Sequence, residues 1–219
     1  MKKLLLSLVM LAGLATTTAH AQATGTNTSA PVKGDTGTGA SFTIKGGGSY
    51  SGFTGDGVAA GSSYRPDYFG GLGLDLPLNN TLSVAVEALY TRKGAKFDNP
   101  AAGGAAAFTS TTVLQYVDVP LLARLHSGGL FFEVGPQLGV LVDAKDQRDN
   151  TLDRNVLTSY NVLDFGYVGG LGFASDRGLG IGARYNSSFS GILKNSATLP
   201  TTTRNSAFQL YLSFTFRDR

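Results

Sequence analysis

Segments in which apolar and polar residues alternate follow one another from Ser41 to Phe216, and they number eight. The connections between them are alternately long and short. Such alternation puts apolar side chains on one face of a strand and polar side chains on the other. In a transmembrane barrel these faces meet lipid and lumen, and short periplasmic turns alternate with longer extracellular loops. The pattern therefore predicts an all-β fold, an eight-stranded antiparallel up-and-down transmembrane β-barrel formed by residues 41–219 in the outer membrane of the cell.

The start of the chain predicts export. Residues 1–21 have a basic beginning, an apolar stretch and small residues at a cleavage site, which predict a secretory signal peptide cut between Ala21 and Gln22. The apolar stretch is shorter than the roughly 20 residues that a membrane-spanning helix needs. Residues 22–40 contain almost no large side chain, so we expect them to form a disordered periplasmic leader.

Charge and cysteine content argue against several classes of function. The chain has 18 Lys and Arg against 15 Asp and Glu. Two of the lysines belong to the signal peptide, so the mature excess falls from +3 to +1. The basic residues are not clustered, and nothing indicates a nucleic-acid partner. The absence of cysteine excludes disulfides, a lipid-bearing cysteine and cysteine metal sites, and we expect neither a metal nor a cofactor.

Charged side chains recur on the strand face opposite to the apolar one. The interior of an eight-stranded barrel is only wide enough for side chains. We therefore expect these groups to pair with one another as a polar plug, rather than to line a conducting or proton-relaying path. The two-residue turn Gly128-Gly129 should place Arg124 directly opposite Glu133, as an ion pair. The predicted lumen network consists of Lys45, Asp75, Glu87, Asp118, Arg124, Glu133, Asp164 and Arg184.

Prolines, loops and aromatic residues refine the expected strands. Pro120 and Pro136 lie inside predicted strands and should mark bulges, because proline lacks a ladder donor. Long loops are expected at about residues 51–67, 92–111, 144–159 and 187–204. Barrels carry aromatic girdles at both lipid–water boundaries. We expect tyrosines near the long loops and phenylalanines near the opposite ends, namely Tyr50, Tyr68, Tyr90, Tyr116, Tyr160 and Tyr185, and Phe42, Phe132, Phe173, Phe214 and Phe216.

Four stretches resemble the small outer-membrane β-barrel family that is called porin-like or PorT-type. They are Leu82–Tyr90 followed by Arg92-Lys93-Gly94, then Tyr116–Leu122, Phe132–Pro136 and Gly180–Tyr185. The resemblance covers the barrel but not the leader, and it implies eight antiparallel strands in the outer membrane. It also implies that the barrel-insertion machinery reads the terminal aromatic residue Phe216. A secretion role of one relative does not pass to this chain with the shared barrel.

The residues give little support to catalysis. A hydrolase at the barrel rim would need a base such as His. The mature chain has only His126, beside the periplasmic turn, where we expect it to be exposed to solvent. We therefore predict a monomeric, non-enzymatic barrel in outer-membrane lipid, with a plugged polar lumen. It acts structurally or binds a protein or glycan through its extracellular loops, at Pro100–Phe108 or Asp143–Arg154. Alternatives are a narrow porin for small solutes, a rim-located lipid hydrolase, and a soluble lipocalin-like barrel with its apolar faces inward.

Overall fold

The computed structural model describes residues 39–101, 106–148, 152–194 and 202–216. The expected signal peptide, its cleavage site at Ala21 and Gln22, and nearly all of the expected leader lie outside these ranges. Within them, helical structure is limited to a single 3-10 turn at Leu157–Ser159. None of the helical structure described is long and apolar enough to cross a membrane.

The described residues form ten strands. They are β1 (Ser41–Thr54), β2 (Ser62–Ser63), β3 (Arg65–Pro77), β4 (Leu82–Asn99), β5 (Phe108–Ser127), β6 (Leu130–Arg148), β7 (Leu152–Asn155), β8 (Leu163–Ala174), β9 (Leu179–Ser188) and β10 (Arg204–Phe216). Eight of them close an antiparallel ring in the order β1-β3-β4-β5-β6-β8-β9-β10. The two short strands extend the wall, because β2 pairs with β4 and β7 pairs with β6. The eight-stranded barrel expected from the sequence is confirmed.

The ring closes between the first and last strands. Their pairing runs without interruption from Phe42 opposite Phe216 to Thr54 opposite Arg204. Following paired residues from Lys45 around the wall in one direction leads to Asp164, and in the other direction to Ala174. The offset along β8 between Asp164 and Ala174 is the stagger of the closed ring. Over eight strands it corresponds to a strand tilt of about 40°, which is usual for transmembrane barrels.

The side-chain orientation is that of a membrane barrel. Leu210 and Leu212 on β10 point outward and are 69% and 68% exposed, whereas Lys45 and Glu87 point inward and are 4% and 3% exposed. A continuous face of exposed leucines is unfavourable in water, but in a membrane these side chains contact lipid tails. The arrangement is the reverse of that in a soluble lipocalin-like barrel.

Two of the expected long loops are largely β-structure, and these loop predictions were wrong. β4 continues to Asn99 and β5 begins at Phe108, so the loop expected at residues 92–111 shrinks to eight residues. β6 likewise continues to Arg148 and forms a hairpin with β7, within the loop expected at residues 144–159. Beyond the membrane both faces of a strand can meet water or a small core, so the apolar–polar alternation weakens while the backbone pairing continues.

The prolines do not mark bulges. The β4–β5 register is the same on both sides of Pro120, although Pro120 and Val119 themselves have no partner on β4. The β5–β6 register is also unchanged on either side of the gap that faces Pro136. The register shift in this pair of strands lies instead between Gln115 and Tyr116. A proline removes one donor without adding a residue, so the ladder skips a bond and keeps its register.

The tyrosine girdle is only partly present. Tyr50, Tyr68 and Tyr90 are exposed on the outer face near the extracellular end, as expected. Tyr116 and Tyr160 are instead buried, with 0% and 9% exposure, and belong to the interior. The phenylalanines expected at the periplasmic end are exposed as predicted, namely Phe42, Phe132, Phe173, Phe214 and Phe216.

Candidate functional site in the barrel lumen

Most of the charged residues predicted to face the lumen meet in one buried cluster, called the ionic layer below. Arg124 and Glu133 are directly paired across β5 and β6, and Arg124 Nε donates to Glu133 Oε2 at 3.0 Å. This is the ion pair that the Gly128-Gly129 turn predicts. Arg124 Nη1 also donates to Asp75 Oδ2 at 2.7 Å. The members of the ionic layer are Lys45, Asp75, Glu87, Arg124, Glu133 and Arg184.

Glu87 is the centre of the ionic layer. It accepts hydrogen bonds from Lys45 Nζ at 2.7 Å, from Arg184 Nη1 at 2.9 Å and from Arg124 Nη2 at 2.5 Å. Arg184 Nη2 also lies 2.7 Å from Glu133 Oε1. The three cations face three carboxylates, so the layer is neutral as a whole. Such balance offsets the high cost of burying charge.

An aromatic ring lies against the cations of this layer. Tyr211 on β10 donates its hydroxyl hydrogen to Glu133 Oε1 at 3.1 Å. Its ring centroid is 4.1 Å from Lys45 Nζ and 4.9 Å from Arg184 Cζ, within range of a cation–π contact. Gly182 faces the ring from β9, and a Cβ atom there would overlap it. A glycine at this position therefore leaves the space that the tyrosine occupies.

The other two predicted lumen residues form a separate cluster, called the Asp118–Asp164 layer below. Lys93 Nζ lies 2.9 Å from Asp118 Oδ2 and 4.0 Å from Asp164 Oδ2. Asn205 Nδ2 donates to Asp164 Oδ2 at 2.9 Å and to Tyr116 Oη at 3.2 Å. The predicted network is thus divided between two layers rather than joined in one.

Sequence reasoning missed three residues of these layers: Lys93, Asn205 and Tyr211. Lys93 falls within the loop expected at residues 92–111, although Thr91 and Lys93 continue the inward phase of Glu87 along β4. Following the alternation past the charged pair Arg92-Lys93 would have found it. Asn205 directly follows the loop expected at residues 187–204, and Tyr211 is an uncharged residue that the charge pattern does not single out.

The two ends of the lumen differ. At the periplasmic end a cavity of about 530 Å³ opens between the turns and reaches Lys45 and Arg124. At the extracellular end an apolar cluster draws residues from β1, β4, β5, β6 and the segments that follow β7 and β9. We call this cluster the apolar cap, and its buried members are Phe53, Ala95, Leu114, Tyr116, Leu141, Ala144, Tyr160 and Ile192.

His126 is not simply a solvated side chain, contrary to expectation. Its Nε2 lies 2.9 Å from Ser83 Oγ, in hydrogen-bond contact, and its ring packs near Phe131. A serine beside a histidine is the first element of a hydrolytic site. The Ser83 residue is only 2% exposed, however, and the pair lies at the periplasmic mouth rather than at the outer rim.

A family model described as an outer membrane protein beta-barrel domain matches residues 21–194 of the sequence. No curated protein matches the sequence of this chain. Among solved structures, the chain is similar to Neisserial surface protein A, with 14% identity, a TM-score of 0.47, and coverage of 81% of this chain and 99% of that one. It is also similar to the attachment invasion locus protein Ail of Yersinia pestis, with 16% identity, a TM-score of 0.46, and coverage of 81% and 99%. OprG of Pseudomonas aeruginosa is 11% identical, with a TM-score of 0.42 and coverage of 82% and 97%.

Proposed function

This chain belongs to the outer membrane protein β-barrel domain family, and we propose that it is a monomeric, non-catalytic barrel that acts structurally or through its extracellular strands and loops. Its location is the outer membrane, and its outward side chains contact the lipid of that membrane. The observation that carries the proposal is the closed lumen. A neutral ionic layer fills the barrel, and the apolar cap lies above it.

The closed lumen favours a plug over a narrow porin. A solute entering from the periplasm meets the ionic layer at Lys45 and Arg124, where the ammonium and guanidinium groups are already paired with carboxylates. Ions crossing the barrel would have to break these buried pairs, at a cost of several kcal/mol each. In planar bilayers we expect no steady single-channel current from the purified protein. Steady, large currents that scale with the number of inserted barrels would overturn the proposal.

The Ser83–His126 contact is the test case for the hydrolase alternative. A buried serine hydroxyl has little access to an ester of a membrane lipid, so we expect no hydrolysis that depends on it. An esterase assay should compare the natural protein with Ser83→Ala and with the exposed variant Thr81→Ala as a matched control. Activity that Ser83→Ala alone abolishes would make the protein an enzyme.

The extracellular extension of β4, β5 and β6 is the surface we propose for a protein or glycan partner. Lys96 and Asp98 lie exposed on it, beside the short connection at residues 100–107. A variant in which a two-residue turn replaces residues 100–107 keeps the barrel ladders. Cross-linking on whole cells should then lose specific neighbours that the natural protein captures, whereas Asp176→Asn at the periplasmic end should lose none. An unchanged set of neighbours would exclude this surface.

Processing and assembly complete the proposal. We propose that export removes residues 1–21, so that the mature protein begins at Gln22 with a periplasmic leader to residue 40. We also propose that the barrel-insertion machinery recognises the last strand, which ends at Phe216. The mass of the protein from purified outer membranes tests the first point, since cleavage elsewhere gives a different mass. Replacing Phe216 with Ala should reduce the folded fraction in cells but not the refolding yield in detergent.

A further inference from the structure

The Asp118–Asp164 layer differs from the ionic layer in its charge balance. Among the described ion pairs, Lys93 is the one cation that lies within 4.0 Å of Asp118 or Asp164. Two carboxylates and one ammonium group leave the layer with one excess negative charge. Asp118 and Asp164 are 1% and 4% exposed. A buried carboxylate without a compensating charge is expensive. We propose that one small monovalent cation, such as Na⁺, binds in this layer and supplies the missing charge.

A buried amide oxygen without a hydrogen-bond partner supports this assignment. Asn205 Oδ1 has no hydrogen-bond partner, although the Nδ2 of the same amide binds Asp164. Thr91 lies on β4 between Leu89, which pairs with Asp118, and Lys93, and its hydroxyl is directed at the Asp118 carboxylate. Both residues are at most 2% exposed. Carboxylate, amide and hydroxyl oxygens are the ligands that hard cations prefer.

The charge of the layer selects a monovalent ion. One added positive charge makes the layer neutral, whereas a divalent ion would leave an excess of the opposite sign in the same buried space. Within the described ranges there is no group of three or more His, Cys, Asp or Glu side chains placed to hold a metal ion, which is the usual requirement of a divalent site.

A second cluster, formed by Arg65, Arg92 and Asp67, has an excess of positive charge, but its arginine side chains are partly exposed to solvent. Arg65 Nη2 and Arg92 Nε lie 3.1 Å and 3.9 Å from Asp67 Oδ1, giving one excess positive charge. The Arg65 and Arg92 side chains are 16% and 27% exposed, so water reaches and screens this charge. It therefore does not neutralise the buried layer.

The test is refolding of the mature chain from urea into detergent micelles, in NaCl or in N-methyl-D-glucamine chloride at equal ionic strength. Refolding lets the ion enter before the apolar cap closes. If Na⁺ binds, the urea midpoint of unfolding in saturating NaCl should exceed the midpoint in N-methyl-D-glucamine chloride by roughly 1 M. This is the rise expected for a ligand at about 100 times its Kd. The rise should also grow by equal steps for each tenfold increase in Na⁺.

Variants separate binding at this layer from a general salt effect. Asp118→Asn removes the excess charge, so its midpoint should be the same in both salts. Asp176→Asn, which changes an exposed acid at a periplasmic turn, should keep the full difference. Equal midpoints of the natural protein in both salts would overturn the proposal and indicate that a proton or water compensates the layer. A difference that persists in Asp118→Asn, or an equal rise with Ca²⁺, would overturn it as well.

Discussion

Replacing Glu87 with Gln is the sharpest perturbation of the ionic layer. The substitution keeps the size of the side chain but removes the carboxylate that three cations share, and the layer changes from neutral to one excess positive charge. Arg124 and Arg184 keep Glu133 as a partner. Lys45 pairs with Glu87 alone among the described carboxylates, so it is left buried and uncompensated.

The expected loss follows from the burial of that charge. Removing one partner of a buried ion pair costs about 3–5 kcal/mol. With a denaturant dependence of about 2 kcal/mol per molar urea, the unfolding midpoint of Glu87→Gln in detergent micelles should fall by roughly 2 M. Asp176→Asn, which also removes one negative charge but at an exposed site, should change the midpoint by less than about 0.3 M.

A double variant tests the cause. Lys45→Met removes the orphaned cation, so Lys45→Met/Glu87→Gln restores neutrality while keeping an unbranched chain of similar length. We expect the double variant to recover more than half of the stability that Glu87→Gln loses, as a coupling between residues in direct contact. A loss under about 1 kcal/mol for Glu87→Gln, or no recovery in the double variant, would refute charge balance as the basis of this layer.

Three further predictions concern other parts of the barrel. Gly182→Ala should destabilise the fold by about 1–3 kcal/mol, because its methyl group overlaps the tyrosine ring that covers the cations. Gly169→Ala is the control, because a Cβ atom there meets nothing within 4 Å, and this variant should unfold in urea like the natural protein. Equal loss of stability in Gly182→Ala and Gly169→Ala would refute the overlap with the tyrosine ring as the cause. Leu212→Arg places a charge on the lipid face, and a cost of about 2–4 kcal/mol should lower the heat-modifiable fraction on gels. At the extracellular tip of β4, the hydrogen bond from Thr109 lowers the pKa of the exposed Asp98 carboxyl. The contact therefore stabilises the tip at pH values above the ordinary aspartate pKa, and this stabilisation is lost as the pH falls through the lowered pKa of Asp98. An NMR titration should show a higher pKa for Asp98 in Thr109→Val than in the natural protein.

The sequence predicts the membrane-embedded part of this fold well because lipid imposes a strict rule there. Every second side chain must be apolar, so β10 and the lower halves of β4 and β5 are evident from alternation alone. The rule ends at the membrane surface. Arg92 and Lys93 look like the start of a loop, yet Lys93 is 2% exposed and points into the lumen. Tyr116 shows the same limit, since a tyrosine at a strand end fits an outer girdle and an inner core equally well.

The candidate site is predictable only in part. Opposition of Arg124 and Glu133 follows from a two-residue turn, which fixes register between neighbours in sequence. No such local rule brings Glu87 on β4 to Arg184 on β9, because these strands meet only across the closed ring. The division into two layers also depends on the stagger of the strands, which single-strand patterns do not contain.

Pairing of β1 with β10 also constrains how this protein is made. The first strand of the barrel emerges from synthesis and export long before the last one, and β1 has its second neighbour only when residues 204–216 arrive. Until then β1 and β9 each keep an open edge, which can pair with any exposed strand that they meet. The ring therefore cannot close until the chain is complete, and a chain truncated before residue 204 would keep two unpaired strand edges.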